Sequence, residues 1–247
     1  MKISNRLKNL FFVIYGAGKT GQSVLKFLKK NKLKNYYIWD DKENIRKKFK
    51  IENKKNIFKK NLNEADYIVI SPGINIEKSS FKKTLKLNRH KFITDLDLLY
   101  LSYKGLKSIV VTGTNGKSTT CKLIEHILIK KGVKVKLGGN IGNSALDHHH
   151  SNKNIYILEA SSFQLEYSKF IKPNHAILLN LTKDHLDWHG NMSKYKKSKF
   201  KIFENQDKNE SAYLTSQFVK YFKKKNFKGN LNLVSLNKIN FIKKKIK

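Results

Sequence analysis

Eight consecutive residues, Gly113-Thr114-Asn115-Gly116-Lys117-Ser118-Thr119-Thr120, have the types and spacing to hold a polyphosphate. Glycines let backbone N–H groups turn toward phosphate oxygens, and a helix starting at the end of the run adds a favourable dipole. The lysine can reach terminal phosphates, and a Ser or Thr hydroxyl can ligate Mg²⁺. The usual phosphate-loop pattern has a glycine where Val111 stands, so this is a variant loop. Glu159 closes the apolar run Ile155-Tyr156-Ile157-Leu158, where a carboxylate is costly to bury without a partner. Mg²⁺ held to a nucleotide would supply one, and an ordinary strand-end carboxylate is the plainer alternative. Asn180-Leu-Thr182-Lys-Asp184-His185-Leu-Asp187-Trp-His189 is a polar cluster after another apolar run, and such a cluster taken alone is more often a loop with helix-capping Asp and Thr. Gly16-x-Gly18-x-x-Gly21 with Asp40 downstream has the form of a dinucleotide fingerprint, which taken alone favours NAD.

The elements that must position these groups alternate strand and helix. Leu10 to Tyr15, Tyr36 to Trp39, Tyr67 to Ile70 and Lys91 to Thr94 read as strands, with Val24, Leu25, Phe27 and Leu28 as the apolar face of a helix between the first two. A second unit starts near Gly105. Its strands are Ser108 to Thr112, Val133 to Leu137, Ile155 to Leu158 and Ala176 to Leu179. Cys121, Ile124, Ile127 and Leu128 give the helix after the phosphate loop, up to Gly132. A further helix is expected from about Ser193 to Phe203, carrying Tyr195 and Lys199. Such βαβ chains make parallel sheets whose ligands sit at the carboxyl ends of the strands. Gly16–Gly21, Asp40–Lys42 and Ser71–Ile74 should therefore share one crevice. The stretch from about Lys220 is rich in lysine and asparagine and reads poorly as part of a finished domain.

Composition narrows the function classes. A length of 247 residues suffices for one large core or two modest ones. The single cysteine, Cys121, falls on an apolar stripe, excludes an internal disulfide and suits a reducing cytoplasm. No run approaches the ~20 apolar residues of a membrane span, so no membrane insertion is expected. The net charge of +34 invites nucleic acid as a partner. Only Arg6, Arg46 and Arg89 are arginines, however, and lysine lacks the planar fork of bidentate readout. The lysines are spread along nearly the whole chain, so specific nucleic-acid binding is not expected. His148-His149-His150 could bind a metal but reads better as a polar loop.

Taken together, these motifs resemble the Mur ligases, a family that builds the cell-wall peptide by ATP-driven amide formation. Thr112 to Thr119 is similar to the ATP loop of that family, and folylpolyglutamate synthases share much of it. Glu159-Ala-Ser-Ser-Phe-Gln-Leu-Glu166 resembles the form in the family's D-glutamate-adding branch. Gly16-x-Gly18-x-Thr20-Gly21, Ser71-Pro-Gly-Ile74, Gly138-Gly-Asn-Ile-Gly142, Asn180-x-Thr-x-Asp-His185 and Tyr195 to Asn205 follow in the same order. The match reaches to about residue 205.

The resemblance implies an α/β fold. A Rossmann-like, parallel-sheet, UDP-substrate-binding domain is expected over residues 1–102, and an ATP-binding α/β domain of P-loop type over 103–247. It implies ATP and two Mg²⁺ as cofactors, with UDP-N-acetylmuramoyl-L-alanine and D-glutamate as substrates. By the same resemblance Lys117 contacts the β/γ-phosphates, Ser118 or Thr119 meets Mg²⁺, and Glu159 binds the nucleotide's Mg²⁺. His185 and a carbamylated Lys199 position the second Mg²⁺. Asn140, Ser161 and Gln164 lie along the muramoyl-alanine path, while Gly18, Thr20, Asp40, Asp41, Lys42, Ser71 and Gly73 face the UDP. Family members continue into further ATPase segments and a third domain that holds D-glutamate. The expectation is thus an incomplete second domain, with either a separately encoded C-terminal part or a noncatalytic nucleotide-binding fragment.

Overall fold

A computed structural model describes residues 4–234. The first four strands, β1 (Phe12–Tyr15), β2 (Tyr36–Trp39), β3 (Tyr67–Ile70) and β4 (Phe92–Ile93), form a parallel sheet in the order β2-β1-β3-β4. Helices α1 (Lys19–Lys30), α2 (Glu43–Lys48), α3 (Lys55–Glu64) and α4 (Lys82–Leu87) lie on its connections. Gly21 is required by a close approach: a Cβ there would stand 1.8 Å from the carbonyl oxygen of Gly16. That contact lets α1 start tight against the end of β1.

α5 (Asp95–Ser102) then leads to a six-stranded parallel sheet. Its strands are β5 (Ser108–Thr112), β6 (Val135–Gly139), β7 (Ile155–Glu159), β8 (His175–Leu178), β9 (Ser211–Leu214) and β10 (Asn230–Leu233), in the order β10-β9-β8-β5-β7-β6. Its helices are α6 (Lys117–Lys130), α7 (Ser162–Tyr167), α8 (Leu186–His189), α9 (Met192–Phe200) and α10 (Val219–Lys224). The chain leaves β5 toward β6 and returns to the other side at β8. The loops after β5, β7 and β8 therefore meet at the switch point, where ligands of such sheets bind.

Several boundaries differ from the sequence reading. Strand β6 starts at Val135, not Val133, because the Val133 N–H bonds back to Leu128 O and Gly132, at φ +75°, closes α6. Ile127 is 50% exposed: it lies about 120° round α6 from the buried Cys121. The stretch after Lys220 does join the fold. There α10 packs Phe222, and β10 pairs with β9 and lays Leu231 on the main core. The part of that expectation beyond residue 234 lies outside the described residues.

One continuous core runs between the sheets, from Phe12, Ile14 and Leu28 through Leu96 and Leu99 of α5 to Leu158, Leu165 and Phe203. Asp97 fastens this junction. Its carboxylate accepts the Thr94 N–H (2.9 Å) in the capping box of α5, and the Ser168 hydroxyl (2.7 Å), Lys169 N–H (3.0 Å) and Phe170 N–H (2.7 Å) beyond α7. Asp97→Ala would leave these donors without an acceptor. The expected loss is about 3–5 kcal/mol in a denaturant titration. A loss below about 1 kcal/mol, the size of one ordinary hydrogen bond, would show that the carboxylate is no staple.

Candidate functional site

The phosphate loop leaves buried strand β5 and turns at Gly116, whose φ of 82° suits glycine, into the first turn of α6. That turn carries no acidic residue and no side-chain cap, so its backbone donors face outward for an anion. The loop is braced on the end of β8. Thr114 N–H reaches Asn180 O (3.0 Å), Asn115 N–H reaches Asn180 Oδ1 (2.9 Å), and Asn180 Nδ2 returns to Asn115 O (3.0 Å). Lys117 Nζ folds back onto Gly113 O (2.8 Å) and Thr114 O (2.6 Å). Thr119 is exposed and Thr120 half-buried on the same turn.

Glu159, at the end of β7, is buried opposite this turn. Its Oε2 accepts the Ser118 hydroxyl at 2.5 Å, and its Oε1 accepts Asn140 Nδ2 at 3.0 Å. Of the two hydroxyls open from the sequence, Ser118 is the one that meets the carboxylate. Among the described residues no side-chain ammonium or guanidinium pairs with Glu159, and its carboxylate with the Ser118 hydroxyl beside it offers hard oxygens that fit Mg²⁺ shared with a nucleotide. Burial, followed by the Glu159 charge, pushes the Cys121 thiol up to about 12, so this cysteine stays a core thiol.

Lys199 comes to the same loop from α9. It is only 2% exposed, and its Nζ donates to Gly113 O at 2.8 Å and lies 3.4 Å from Thr112 Oγ1. Burial first, and then the nearby Lys117 ammonium, bring its pKa down to about 7. An ammonium cannot ligate a metal, whereas an amine that loses its proton near neutrality can take up CO₂ and become an anion that does. His185 sits before α8 with φ 52°, its Nε2 3.4 Å from Asp184 Oδ2 and its ring 4.7 Å from that of Phe163. A cavity of about 100 Å³ is lined by Lys117, Asn140, Ser161, Phe163, His185 and Lys199 among others. Among the described residues no three His, Cys, Asp or Glu side chains gather into a metal cluster. The chain's own donors would thus share any Mg²⁺ with nucleotide and water oxygens.

The expected substrate residues separate into two groups. Asn140 and Ser161 reach the cavity. Gln164 does not line it: its Oε1 accepts Ser161 N–H and Oγ in the capping box of α7, and its Nε2 donates to buried Asp95 at 3.1 Å. Gln164 therefore holds Ser161 in place and offers nothing to the cavity. Gly18, Thr20, Asp40–Lys42, Ser71 and Gly73 sit at the carboxyl ends of β1, β2 and β3, with Gly18, Asp41, Lys42 and Gly73 exposed. Asp40 binds Ala17 N–H (2.8 Å) and Lys42 N–H (2.9 Å), while Ser71 Oγ donates to Gly16 O (3.1 Å). Asp41 accepts the Tyr15 hydroxyl (2.5 Å) and Trp39 Nε1 (3.0 Å). Burial and the Asp41 carboxylate both raise the Tyr15 pKa, so the phenol remains the donor.

The sequence reading missed Arg46, whose Nη1 donates to Asp40 O (2.7 Å) and Asp41 O (2.8 Å) and so fixes that turn. It also missed Arg89, which pairs with Glu166 between the two sheets. Arginine's rarity in so lysine-rich a chain was the available signal. Lys19 Nζ donates to Gly142 O at 2.8 Å, and the Tyr167 hydroxyl to Ile74 O at 3.1 Å, so the loops of the first crevice bond to the second unit. The three histidines are not a plain polar loop: His150 is buried with its ring 3.8 Å from that of Tyr103, and His148 Nε2 lies 2.7 Å from Leu137 O.

Comparisons with known proteins identify the family. The Mur ligase middle domain matches residues 111–246, and the N-terminal domain described as Mur ligase MurD-like matches residues 11–90. The UDP-N-acetylmuramoylalanine--D-glutamate ligase of Rickettsia prowazekii (strain Madrid E) is 40% identical over 222 residues, covering 85% of this chain and 47% of that protein. The enzyme of the same name from Wolbachia pipientis wMel is 38% identical over 213 residues, covering 82% and 40%. The chain spans about half the length of the curated relatives it matches. Among solved structures, UDP-N-acetylmuramate:L-alanyl-gamma-D-glutamyl-meso-diaminopimelate ligase from Neisseria meningitides superposes with a TM-score of 0.54 at 15% identity, over 91% of this chain and 77% of that one. That likeness concerns the fold.

Proposed function

The chain belongs to the Mur ligase family, and on that premise we propose that it serves ATP-dependent addition of D-glutamate to UDP-N-acetylmuramoyl-L-alanine in peptidoglycan synthesis. The observation that carries the reading is the sharing of one carbonyl. Lys117 Nζ and Lys199 Nζ both stand 2.8 Å from Gly113 O, so a lysine from α9 is buried against the phosphate loop. Two ammonium groups so close repel, and the arrangement suits an α9 lysine that becomes a carbamate.

In this reading the UDP lies along Gly18, Thr20, Asp40–Lys42, Ser71 and Gly73, and the muramoyl-alanine runs past Asn140 and Ser161 into the cavity. The division between the two units falls at residues 102/103. The alanine carboxylate attacks the γ-phosphate and ADP leaves. The amine of D-glutamate then attacks the acyl phosphate, and inorganic phosphate leaves as the amide forms. Lys117 swings from its own loop carbonyls to the terminal phosphates and offsets the repulsion between carboxylate and polyanion. Ser118 and Glu159 would hold the nucleotide's Mg²⁺, and His185 with carbamylated Lys199 the second. Bound Mg²⁺ supplies charge neutralisation at the phosphates. Gln164, through its bond to Asp95, keeps Ser161 at the cavity wall. The proposed substrates, ATP and a nucleotide-sugar, are those of a cytoplasmic reaction. No helix among the described residues is long and apolar enough to cross a membrane.

Calorimetry tests the reading. UDP-N-acetylmuramoyl-L-alanine should bind the chain more tightly than NAD, because Asp40 already spends its carboxylate on Ala17 and Lys42 and leaves little for a ribose diol. Binding of NAD with no heat from the UDP-sugar would overturn it in favour of a dinucleotide enzyme.

A further inference from the structure

We infer that Tyr195 is a positioning residue that ties the phosphate loop, the His185 loop and the Lys199 helix into one unit, so that nucleotide and Mg²⁺ meet a preassembled site; this rests on the ATP- and Mg²⁺-binding reading above. Tyr195 is fully buried, one turn before Lys199 on α9, and residues four apart lie on one helix face. Its hydroxyl stands 3.0 Å from Thr114 Oγ1. The same Thr114 oxygen accepts the backbone N–H of Thr182 at 3.0 Å, three residues before His185. One threonine hydroxyl is thus the meeting point of three segments far apart in the chain.

α9 grips the phosphate loop twice, through Tyr195 at residue 114 and through Lys199 at Gly113 O and Thr112 Oγ1. The Lys199 contact must change when that side chain acquires a carboxylate, since its nitrogen ceases to be a cation. The Tyr195 contact involves no ionised group and survives that change. It also fixes the residue whose carbonyl holds Lys117, because Thr114 O accepts Lys117 Nζ at 2.6 Å. The tyrosine ring lies 5.0 Å from Lys199 Nζ and meets His189 edge-on at 5.2 Å. A phenylalanine would keep this packing and lose only the tie. Loss of preorganisation shows as weaker binding, because the ligand must then order the loop itself.

The test is Y195F in the full chain, with MgATP affinity measured by calorimetry over a range of Mg²⁺ concentrations beside a thermal melt. One neutral hydrogen bond predicts an affinity about three- to tenfold weaker, with half-saturation moved to higher Mg²⁺ and a melting temperature close to that of the wild type. Thr114→Val, which also takes the acceptor from Thr182 N–H, should lose at least as much, and the double variant should be no worse than Thr114→Val alone, since the Tyr195 contact is already gone there. A Y195F protein with a lowered melting temperature but unchanged affinity and Mg²⁺ dependence would make the residue merely structural and overturn the inference. Fully additive losses in the double variant would overturn it too. A wild-type chain without MgATP affinity would remove the ATP reading and the inference together, whereas wild-type binding that Y195F matches removes the inference alone.

Discussion

Lys117→Ala is expected to abolish measurable ATP binding while the chain stays folded. The ammonium is satisfied by two carbonyls of its own loop, Gly113 and Thr114. These are contacts that water can replace, since Lys117 is only half-buried. With nucleotide bound, the same group would make charge-assisted hydrogen bonds to phosphate oxygens beside the N-terminus of α6. Each is worth about 1.5–3 kcal/mol, so two of them amount to a hundredfold or more in affinity. The melting temperature should move by no more than about 2 °C, as for other substitutions away from the core. Calorimetry with MgATP and a thermal melt on the same preparation decide the matter. An alanine variant that binds ATP as the wild type does would leave the loop a mere turn before a helix.

Lys199→Ala should have the second largest effect, on activity rather than on nucleotide affinity. The side chain is buried, and burial together with Lys117 holds its pKa down to about 7, so much of it is uncharged amine at neutral pH. An uncharged amine can add CO₂, releasing a proton and leaving a carbamate in the space where Lys199 Nζ donates to Gly113 O. Removal of a preorganised charge from such a site costs on the order of a hundred- to a thousandfold in rate. In a reconstituted ligase, acetate or formate should restore part of that loss by filling the vacated space with a carboxylate. On the chain itself, ¹³C-labelled bicarbonate should give a carbamate resonance in the wild type that is missing from Lys199→Ala. Full activity in the alanine variant, or an unchanged carbamate signal, would sink this role.

The phosphate loop, the β-strand runs and the parallel-sheet class were legible because each depends on neighbours in the chain. Alternating or continuous apolar residues mark a strand, and glycines before Lys-Ser mark a loop that can wrap phosphate. The ends of elements were less legible. β6 began two residues late because Val133 was taken by the closing turn of α6. β10 was unreadable among lysines and asparagines because what makes it a strand is its pairing with β9.

The candidate site shows the same division more sharply. The sequence by itself determined which groups exist and what each can do: Lys117 can donate, Glu159 and Asp40 can accept, and His185 can ligate. Only the tertiary structure decided how those capacities are spent. It turned the Gln164 amide to Asp95 and away from the cavity, and gave both oxygens of Asp41 to Tyr15 and Trp39. It also chose Ser118 over Thr119 for Glu159. Above all it distinguished Lys199 from the other lysines by burying it against Gly113 O. The physical reason is that desolvation and hydrogen-bond partnership are properties of a place, and each place here is built from segments that meet only when β5, β7, β8 and α9 are packed together.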